Sequence, residues 1–391
     1  MATRKITINK ISKINAETIR SKNVPEVIRY LDTSSITKNT IENVQILDSK
    51  IAPFPSRAQR KVKNKTIIYS TVRPEQEHFG IIESDTEDLI VSSGFLTLDV
   101  IDKDIDPKYL YYLITKRDIT NHLQRVATNN VSAYPSINPD DLGKMEFVIP
   151  EDVSTQQKIA AVLSALDAKI ELNQRINAEL ESMAKTLYDY WFVHNKNVGK
   201  LKVGKLGDFI KVNERSITKD YPHSEIEYID IASVSVGRLE GTTQYALKDA
   251  PSRARRLVKH GDTIWSTVRP NRKSYLFICN PKENLVVSTG FAVLTPKNIP
   301  PSFLYFLTTT EQFVNYLVSN SEGSAYPAVS ADRFAELEFS IPPEKRLTEF
   351  ENIVSPMLTK ISQLELESQT LTVLRDWLLP MLMNGQVVVR P

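Results

Sequence analysis

A single cysteine, Cys279, stands among 391 residues, so the chain can form no internal disulfide and that thiol reads as a small buried hydrophobe. Histidine is also scarce: His78, His122, His194, His223 and His260 are scattered without the close spacing that holds a metal. No run of about 20 apolar residues occurs, which argues against a membrane-spanning helix. The opening Met1-Ala2-Thr3-Arg4-Lys5-Ile6 lacks the apolar stretch of a secretion signal, and a cytoplasmic protein is expected. A Gly-x-x-x-x-Gly-Lys-Ser/Thr phosphate loop is missing, as are the Asn-Pro-Pro-aromatic and glycine-rich cofactor loops of an adenine methyltransferase. Ser70 and Ser266 have no neighbouring histidine or acid to activate them as nucleophiles. Together these absences predict a non-catalytic chain that binds no cofactor of its own.

The composition itself, 41% hydrophobic and 25% charged, is that of a globular protein, and the length fits two or more domains. A net charge of +2 decides nothing about nucleic acid; where the charge sits matters more.

Aligning the sequence with itself reveals a duplication. Pro55-Ser56-Arg57-Ala58 returns as Pro251-Ser252-Arg253-Ala254, 196 positions later. At the same offset of 196, Ser70-Thr71-Val72-Arg73-Pro74 returns as Ser266-Thr267-Val268-Arg269-Pro270, and Val91-Ser92-Ser93-Gly94-Phe95 as Val287-Ser288-Thr289-Gly290-Phe291. Ser132-Ala133-Tyr134-Pro135 matches Ser324-Ala325-Tyr326-Pro327 at 192, and Tyr30-Leu31-Asp32 matches Tyr228-Ile229-Asp230 at 198. Blocks kept in one order with such small drift cannot arise by chance.

Each repeat ends in a long amphipathic helix. The first is expected from a cap at Ser154 to about Trp191, with Ile159, Leu166, Leu180 and Leu187 on one heptad position and Leu163, Ile170, Ala184 and Trp191 on the next. The second places Phe350, Met357, Leu364, Leu371 and Leu378 on one stripe and Val354, Ile361 and Arg375 on the other. Both seams turn polar in the middle, at Asn173, Asn177 and Ser368. Pro356 should kink or delay the second helix. Trp191 and Trp377 read as packing anchors.

The globular parts read as mixed α/β. Strands are expected at Lys65 to Val72 and Asp262 to Val268, each stopped at Arg-Pro, and single short helices at Pro107 to Leu123 and Pro301 to Leu317. Asn195 to Gly204 reads as a linker. The expected fold class is therefore α/β (α+β): two globular domains separated by two long antiparallel helices, a tandem repeat with pseudo-two-fold symmetry. A helix of about 40 residues is roughly 60 Å long. The competing arrangement folds each helix back onto its own domain.

Basic charge gathers in the same part of each repeat. One island holds Arg57, Arg60, Lys61, Lys63 and Arg73; the other holds Arg253, Arg255, Arg256, Lys259, Arg269 and Arg272. Phosphate neutralisation needs such a field, and arginine adds a fork matching guanine O6 and N7. The plainer alternative is solvated loops, which recurrence in register makes less attractive. Arg73 and Arg269 either reach a groove or pair with an acid. Tyr134 and Tyr326 either touch DNA or, as the favoured reading, pin a loop onto the core.

The helical segments carry a family resemblance. Gln156-Gln157-Lys158-Ile159-Ala160-Ala161-Val162-Leu163 through Asn173 resembles the first conserved helix of the specificity subunit of type I restriction–modification systems. Leu187-Tyr188-Asp189-Tyr190-Trp191-Phe192-Val193 is similar to that helix's end, and Leu378-Leu379-Pro380-Met381-Leu382-Met383-Asn384-Gly385 to the family's C-terminus. Leu206-Gly207-Asp208-Phe209 resembles the opening of a target-recognition domain, where the first repeat has Ile8-Asn9-Lys10-Ile11 instead. The second helix lacks a Gln-Gln-Lys-Ile opening and starts Glu344-Lys345-Arg346-Leu347.

The resemblance implies a first target-recognition domain at 1–150, a spacer helix at 151–196, a second recognition domain at 197–342 and a second spacer helix at 343–391. It implies a bipartite site in double-stranded DNA, one half read by each domain. It also implies two methyltransferase subunits, which carry S-adenosylmethionine, and motor–nuclease restriction subunits. These partners are expected on the helices, at Leu166, Ile170, Leu180, Leu187, Trp191, Ile361, Leu371 and Leu378. Two rival functions remain: a self-sufficient nuclease or methyltransferase, and a protein scaffold without sequence-selective DNA binding.

Overall fold

The structure is a computed structural model, and it describes residues 2–19, 25–83, 86–130, 134–194, 203–323 and 326–389. Of the segments singled out above, Ser132, Ala133, Ser324, Ala325 and linker residues 195–202 lie outside the described residues. The chain divides into two compact units: Met1–Leu172 with Ser368–Pro391, and Asn173–Glu367. The division falls inside both long helices, not at the boundaries 150, 196 and 342 drawn from sequence.

Unit one is built on two four-stranded sheets. In the first, Ser12–Ile14, Phe95–Val100, Ile67–Ser70 and Phe79–Ile81 lie side by side in that order, all antiparallel. In the second, Gln45–Asp48, Val27–Leu31, Leu89–Ser92 and Ala58–Lys61 are neighbours, with Leu89–Ser92 parallel to Val27–Leu31. Unit two repeats both sheets strand for strand: Ile210–Val212, Phe291–Pro296, Thr263–Ser266, Tyr275–Phe277, and Thr243–Ala246, Glu225–Ile229, Leu285–Ser288, Ala254–Leu257. A small ribbon completes each unit, Thr3–Thr7 with Glu146–Pro150 and Val203–Lys205 with Glu338–Ser340. The first repeat enters through a helical turn, Ile8–Ile11, and the second through a 3-10 turn, Leu206–Asp208.

Several expected elements change shape. The central strands are shorter than read, Ile67–Ser70 and Thr263–Ser266, and end three residues before the arginine. Each expected single helix is a pair: Pro107–Ile114 and Arg117–Asn130, then Pro301–Thr309 and Glu311–Ser319. The second break is capped: Thr310 is extended and its side chain accepts from the Phe313 amide. Cys279 is only partly buried.

The first long helix spans Val153–Tyr188 and runs on as a π-turn, Asp189–Val193. Asp152, not Ser154, caps it, its carboxylate accepting from the Thr155 amide at 2.9 Å. The second spans Glu344–Met383 without interruption at Pro356, which is exposed while Val354 and Leu358 on either side are buried. Within unit two, Asn173 donates to Glu367 at 2.9 Å, Asn177 to the Ile361 carbonyl at 3.3 Å, and Tyr188 meets the Phe350 ring. Partner numbers fall as first-helix numbers rise, so the segments are antiparallel.

Each core takes side chains from both long helices, which excludes helices folded back on their own domains. Ile159, Leu163, Leu382 and Met383 join the first core beside Tyr109 and Leu110. Ala184, Tyr188, Leu347, Phe350 and Val354 join the second beside Phe303 and Leu304. Trp191 packs on Phe192 and Phe350, whereas Trp377, expected as an anchor, is 55% exposed. Unit one contains a polar triad, Tyr112 donating to Asp167 at 2.6 Å and Arg375 to Asp167 at 2.8 Å. The equivalent positions of unit two are Phe306, Leu358 and Ala184.

One exchange between the repeats is informative. In unit one Thr66 donates to Asp99 at 2.6 Å across adjacent strands, and in unit two Thr295 donates to Asp262 at 2.8 Å. Thr66 occupies the position of Asp262, and Asp99 that of Thr295: the same buried bond with its ends traded. Thr66→Asp should destabilise unit one by on the order of 2–3 kcal/mol, because two buried carboxylates then face each other. Adding Asp99→Thr should restore most of that loss in urea unfolding.

Glu365 lies in a cleft of unit two with Glu181 and Arg238. Burial pushes its carboxyl up to about 7, a rise that the Arg238 charge opposes and Glu181 reinforces. The folded state thus holds this proton more tightly than the unfolded chain. The stability it contributes is full below about pH 4.5 and is lost as pH rises through 7. Glu365→Gln should flatten that fall and raise stability at pH 8, by at most about 3 kcal/mol before solvent screening, in melts across this pH range.

Candidate nucleic-acid interface

The repeated blocks, distant in sequence, converge in each unit. After strand Ile67–Ser70 the chain turns through Thr71, whose amide donates to the Gly94 carbonyl at 2.8 Å and whose carbonyl accepts from the Ile137 amide at 2.8 Å. The Ser93 amide donates to the Arg57 carbonyl at 2.7 Å, and the Arg73 amide to the Pro135 carbonyl at 2.9 Å. Unit two has the same knot: Thr267 to Gly290 at 2.8 Å, Val329 to Thr267 at 2.8 Å, Thr289 to Arg253 at 2.8 Å and Arg269 to Pro327 at 2.7 Å. The Ser70 and Ser266 hydroxyls donate to the carbonyls of Val72 and Val268 at 2.9 and 2.8 Å, bracing the turn. The absence of a side chain at Gly290 leaves room for Ile231, whose Cδ1 would lie 2.3 Å from a Cβ there and would have to turn aside.

At the centre of each knot stands an arginine in the left-handed region, Arg73 at φ 46° and Arg269 at φ 50°. Such a conformation costs a bulky L-residue roughly 1–2 kcal/mol, and it survives where surrounding bonds over-determine it. The Arg73 guanidinium sits 5.3 Å from the Tyr134 ring centroid, and Arg269 sits 4.0 Å from that of Tyr326. Both tyrosines are about two-thirds exposed, 65% and 64%, so neither is pinned into the core. The backbones of Pro135 and Pro327 do the pinning, and the rings stand under the arginines at the surface.

The remaining basic residues divide by environment. Arg57, Lys61 and Arg253 are exposed and make no side-chain hydrogen bond or ion pair among the described residues. A register irregularity falls at the same place in both repeats, so that Gln59 and Arg255 bulge between paired neighbours. Beside it Arg60 and Arg256 are half-buried, each with a buried Nε lacking a hydrogen-bond partner among the described residues. Burial lowers the Arg60 pKa. Arg255 donates to the Ser252 carbonyl at 3.3 Å. Lys63 and Lys259 are also exposed but ion-paired, Lys63 to Asp99 at 3.3 Å and Lys259 to Glu214 at 3.8 Å.

The helical seam is likewise occupied. Leu187, Trp191 and Ile361 pack against the second core and Leu378 against the first, while Leu166, Ile170, Leu180 and Leu371 are half-buried. The exposed apolar side chains of the helices are others, among them Leu172, Met183, Val373 and Trp377. Sequence reading also missed Thr71 and Thr267 as the pivots of the knots, although they lie inside the repeated blocks, because a strand-like run hides a turn.

Comparison with known proteins gives the family. Residues 5–182 and 199–374 each match the family described as type I restriction modification DNA specificity domain. The chain therefore belongs to that family, with two copies in tandem, and is a non-catalytic DNA-specificity subunit. It is 23% identical over 440 residues to the type I restriction enzyme HindI specificity subunit of Haemophilus influenzae, covering 93% of this chain and 95% of that protein. It is 25% identical over 373 residues to the MjaIX specificity subunit of Methanocaldococcus jannaschii, covering 86% and 84%. The type I restriction–modification S subunit from M. genitalium shares the fold, with a TM-score of 0.63, 15% identity and coverage of 98% and 96%.

If Tyr134 orients Arg73, the two residues must act as one. Arg73→Ala should weaken target binding by about 1–3 kcal/mol, and Tyr134→Ala by about 0.5–1 kcal/mol. The double variant should lose little more than Arg73→Ala alone, measured as affinity of the assembled complex for its DNA. Fully additive losses would show that the ring does not hold the arginine.

Proposed function

We propose that this chain reads a two-part site in double-stranded DNA, one half with each repeat. In the same reading it carries two adenine methyltransferase subunits, which supply S-adenosylmethionine, and motor–nuclease subunits. It would work in the cytoplasm, on incoming phage DNA. The observation that carries the reading is the knot present twice: a strained arginine over an exposed tyrosine, flanked by unpaired cations, with the same hydrogen bonds in both repeats. A solvated loop has no need of such a conformation. Arg57 and Lys61 in one repeat and Arg253 in the other would meet phosphates, and Arg73 and Arg269 would meet base edges. The partners would dock on the outward faces of the long helices, because Leu187, Trp191, Ile361 and Leu378 of the seam already pack on the cores.

In this reading the paired helices set the gap between half-sites. Deleting one heptad from each removes about 10 Å of helix, roughly three base pairs of DNA. The methylated motif in cells carrying the shortened chain and its methyltransferase should keep both half-sites and lose about that much spacer. An unchanged spacer would sink the ruler role, and absence of any sequence-selective methylation by the intact complex would sink the DNA-reading role itself.

A further inference from the structure

We propose that Gln76 and Arg272 are equivalent base-reading residues, Gln76 selecting adenine in one half-site and Arg272 guanine at the matching place in the other; this rests on the DNA-reading role above. Beyond each left-handed arginine the chain makes the same 3-10 turn, Pro74–Gln76 and Pro270–Arg272. It is closed at 2.9 Å in both repeats, by the Gln76 amide to the Arg73 carbonyl and the Arg272 amide to the Arg269 carbonyl. The next residues, Glu77 at φ 56° and Lys273 at φ 55°, repeat the left-handed exit. The backbones coincide in kind, but the side chains do not: Glu75-Gln76-Glu77 faces Asn271-Arg272-Lys273, a reversal of charge on one scaffold.

The structure sorts these side chains. Glu77 is spent on Lys38 at 2.7 Å, and Lys273 on Glu311. The Glu75 amide is tied to Gln124 at 3.1 Å, holding that end of the turn against the neighbouring helix. Gln76 and Arg272 are exposed, and neither side chain makes a hydrogen bond or ion pair among the described residues. Each stands three residues from the arginine lying on its tyrosine, on a turn fixed at both ends, so presenting it to DNA costs little ordering.

The chemistry of the two side chains differs in the way bases differ. A glutamine amide offers one donor and one acceptor, the complement of adenine N7 and N6. A guanidinium offers two parallel donors, the complement of guanine N7 and O6. Each is mismatched to the other's base: glutamine would set acceptor against acceptor at guanine O6, and arginine donor against donor at adenine N6. One turn thus reads a purine in both repeats, and the residue at its third position chooses which.

The test uses the complete chain assembled with its methyltransferase subunits and a DNA library in which each half-site is randomised in turn. Methylated products are sequenced. Gln76→Arg should shift one position of one half-site from adenine towards guanine by about tenfold or more and leave the other half-site unchanged. Arg272→Gln should do the reverse in the other half-site, and Gln76→Ala should relax choice at the same position. Glu75→Asn serves as the neighbour control: a base change there instead would overturn the assignment. So would unchanged preferences in both exchanged variants, or loss of methylation on every library member despite an unaltered melting curve. An intact complex with no bipartite preference would instead refute the DNA-reading role, so the two failures are distinguishable.

Discussion

Leu163 of the first long helix and Leu382 and Met383 of the second close the same core that Tyr109 and Leu110 begin. Tyr188 and Phe350 do the same for the other unit. Long isolated helices gain little from propensity alone, and what holds them is burial of one face. Here that face is shared out along its length, part to one core and part to the other. Neither sheet pair can complete its core until a segment from far along the chain has arrived. Folding and pairing of the helices are therefore one event, and the two arginine-centred knots are placed by cores that depend on it.

Much of this is legible in the amino-acid sequence for a simple reason: duplication repeats whatever local chemistry demands. The Ser-Thr-Val-Arg-Pro block, the Gly-Phe step and the Tyr-Pro step recur together because their backbones bond to one another, although the turn hidden inside the first of them does not show. What is not legible lies in side chains with two possible roles. Thr310 reads as a helix interior but leaves the helical conformation to cap the next helix. Asp152 outcompetes Ser154 for the first long helix because its carboxylate reaches both the Thr155 amide and the Thr155 hydroxyl. The positions of Lys63 and Lys259 can be counted in a basic island, yet only tertiary structure shows which acids claim them. Gln76 and Arg272 do not stand out as a pair because a repeat is recognised by identity, and their meaning lies in difference.

The two units also differ where they meet the helices. Tyr112, Asp167 and Arg375 form a hydrogen-bonded triad in unit one, where unit two uses Phe306, Leu358 and Ala184. The Asp167–Arg375 pair is only partly buried, so it adds little net stability over a well-packed apolar set, but removing one partner leaves the other half-desolvated. Asp167 set beside Ala184 would lose its arginine, and Arg375 set beside Leu358 would keep only Asp376, its neighbour on the same helix. The helix segments are thus matched pairs, each tolerating its own opposite number far better than a copy of itself.

The traded threonine and aspartate record how the halves drifted apart. Starting from either arrangement, two single changes reach the other, and the order matters. Passing through two aspartates places facing carboxylates in a buried site; passing through two threonines places hydroxyls that can still bond to each other across the strands. The passable road runs through the threonine pair. An ancestral gene joined from two identical copies could therefore let its halves diverge at this core position without a crippled intermediate, and its surface turns were free to vary while the framework beneath them stayed sound.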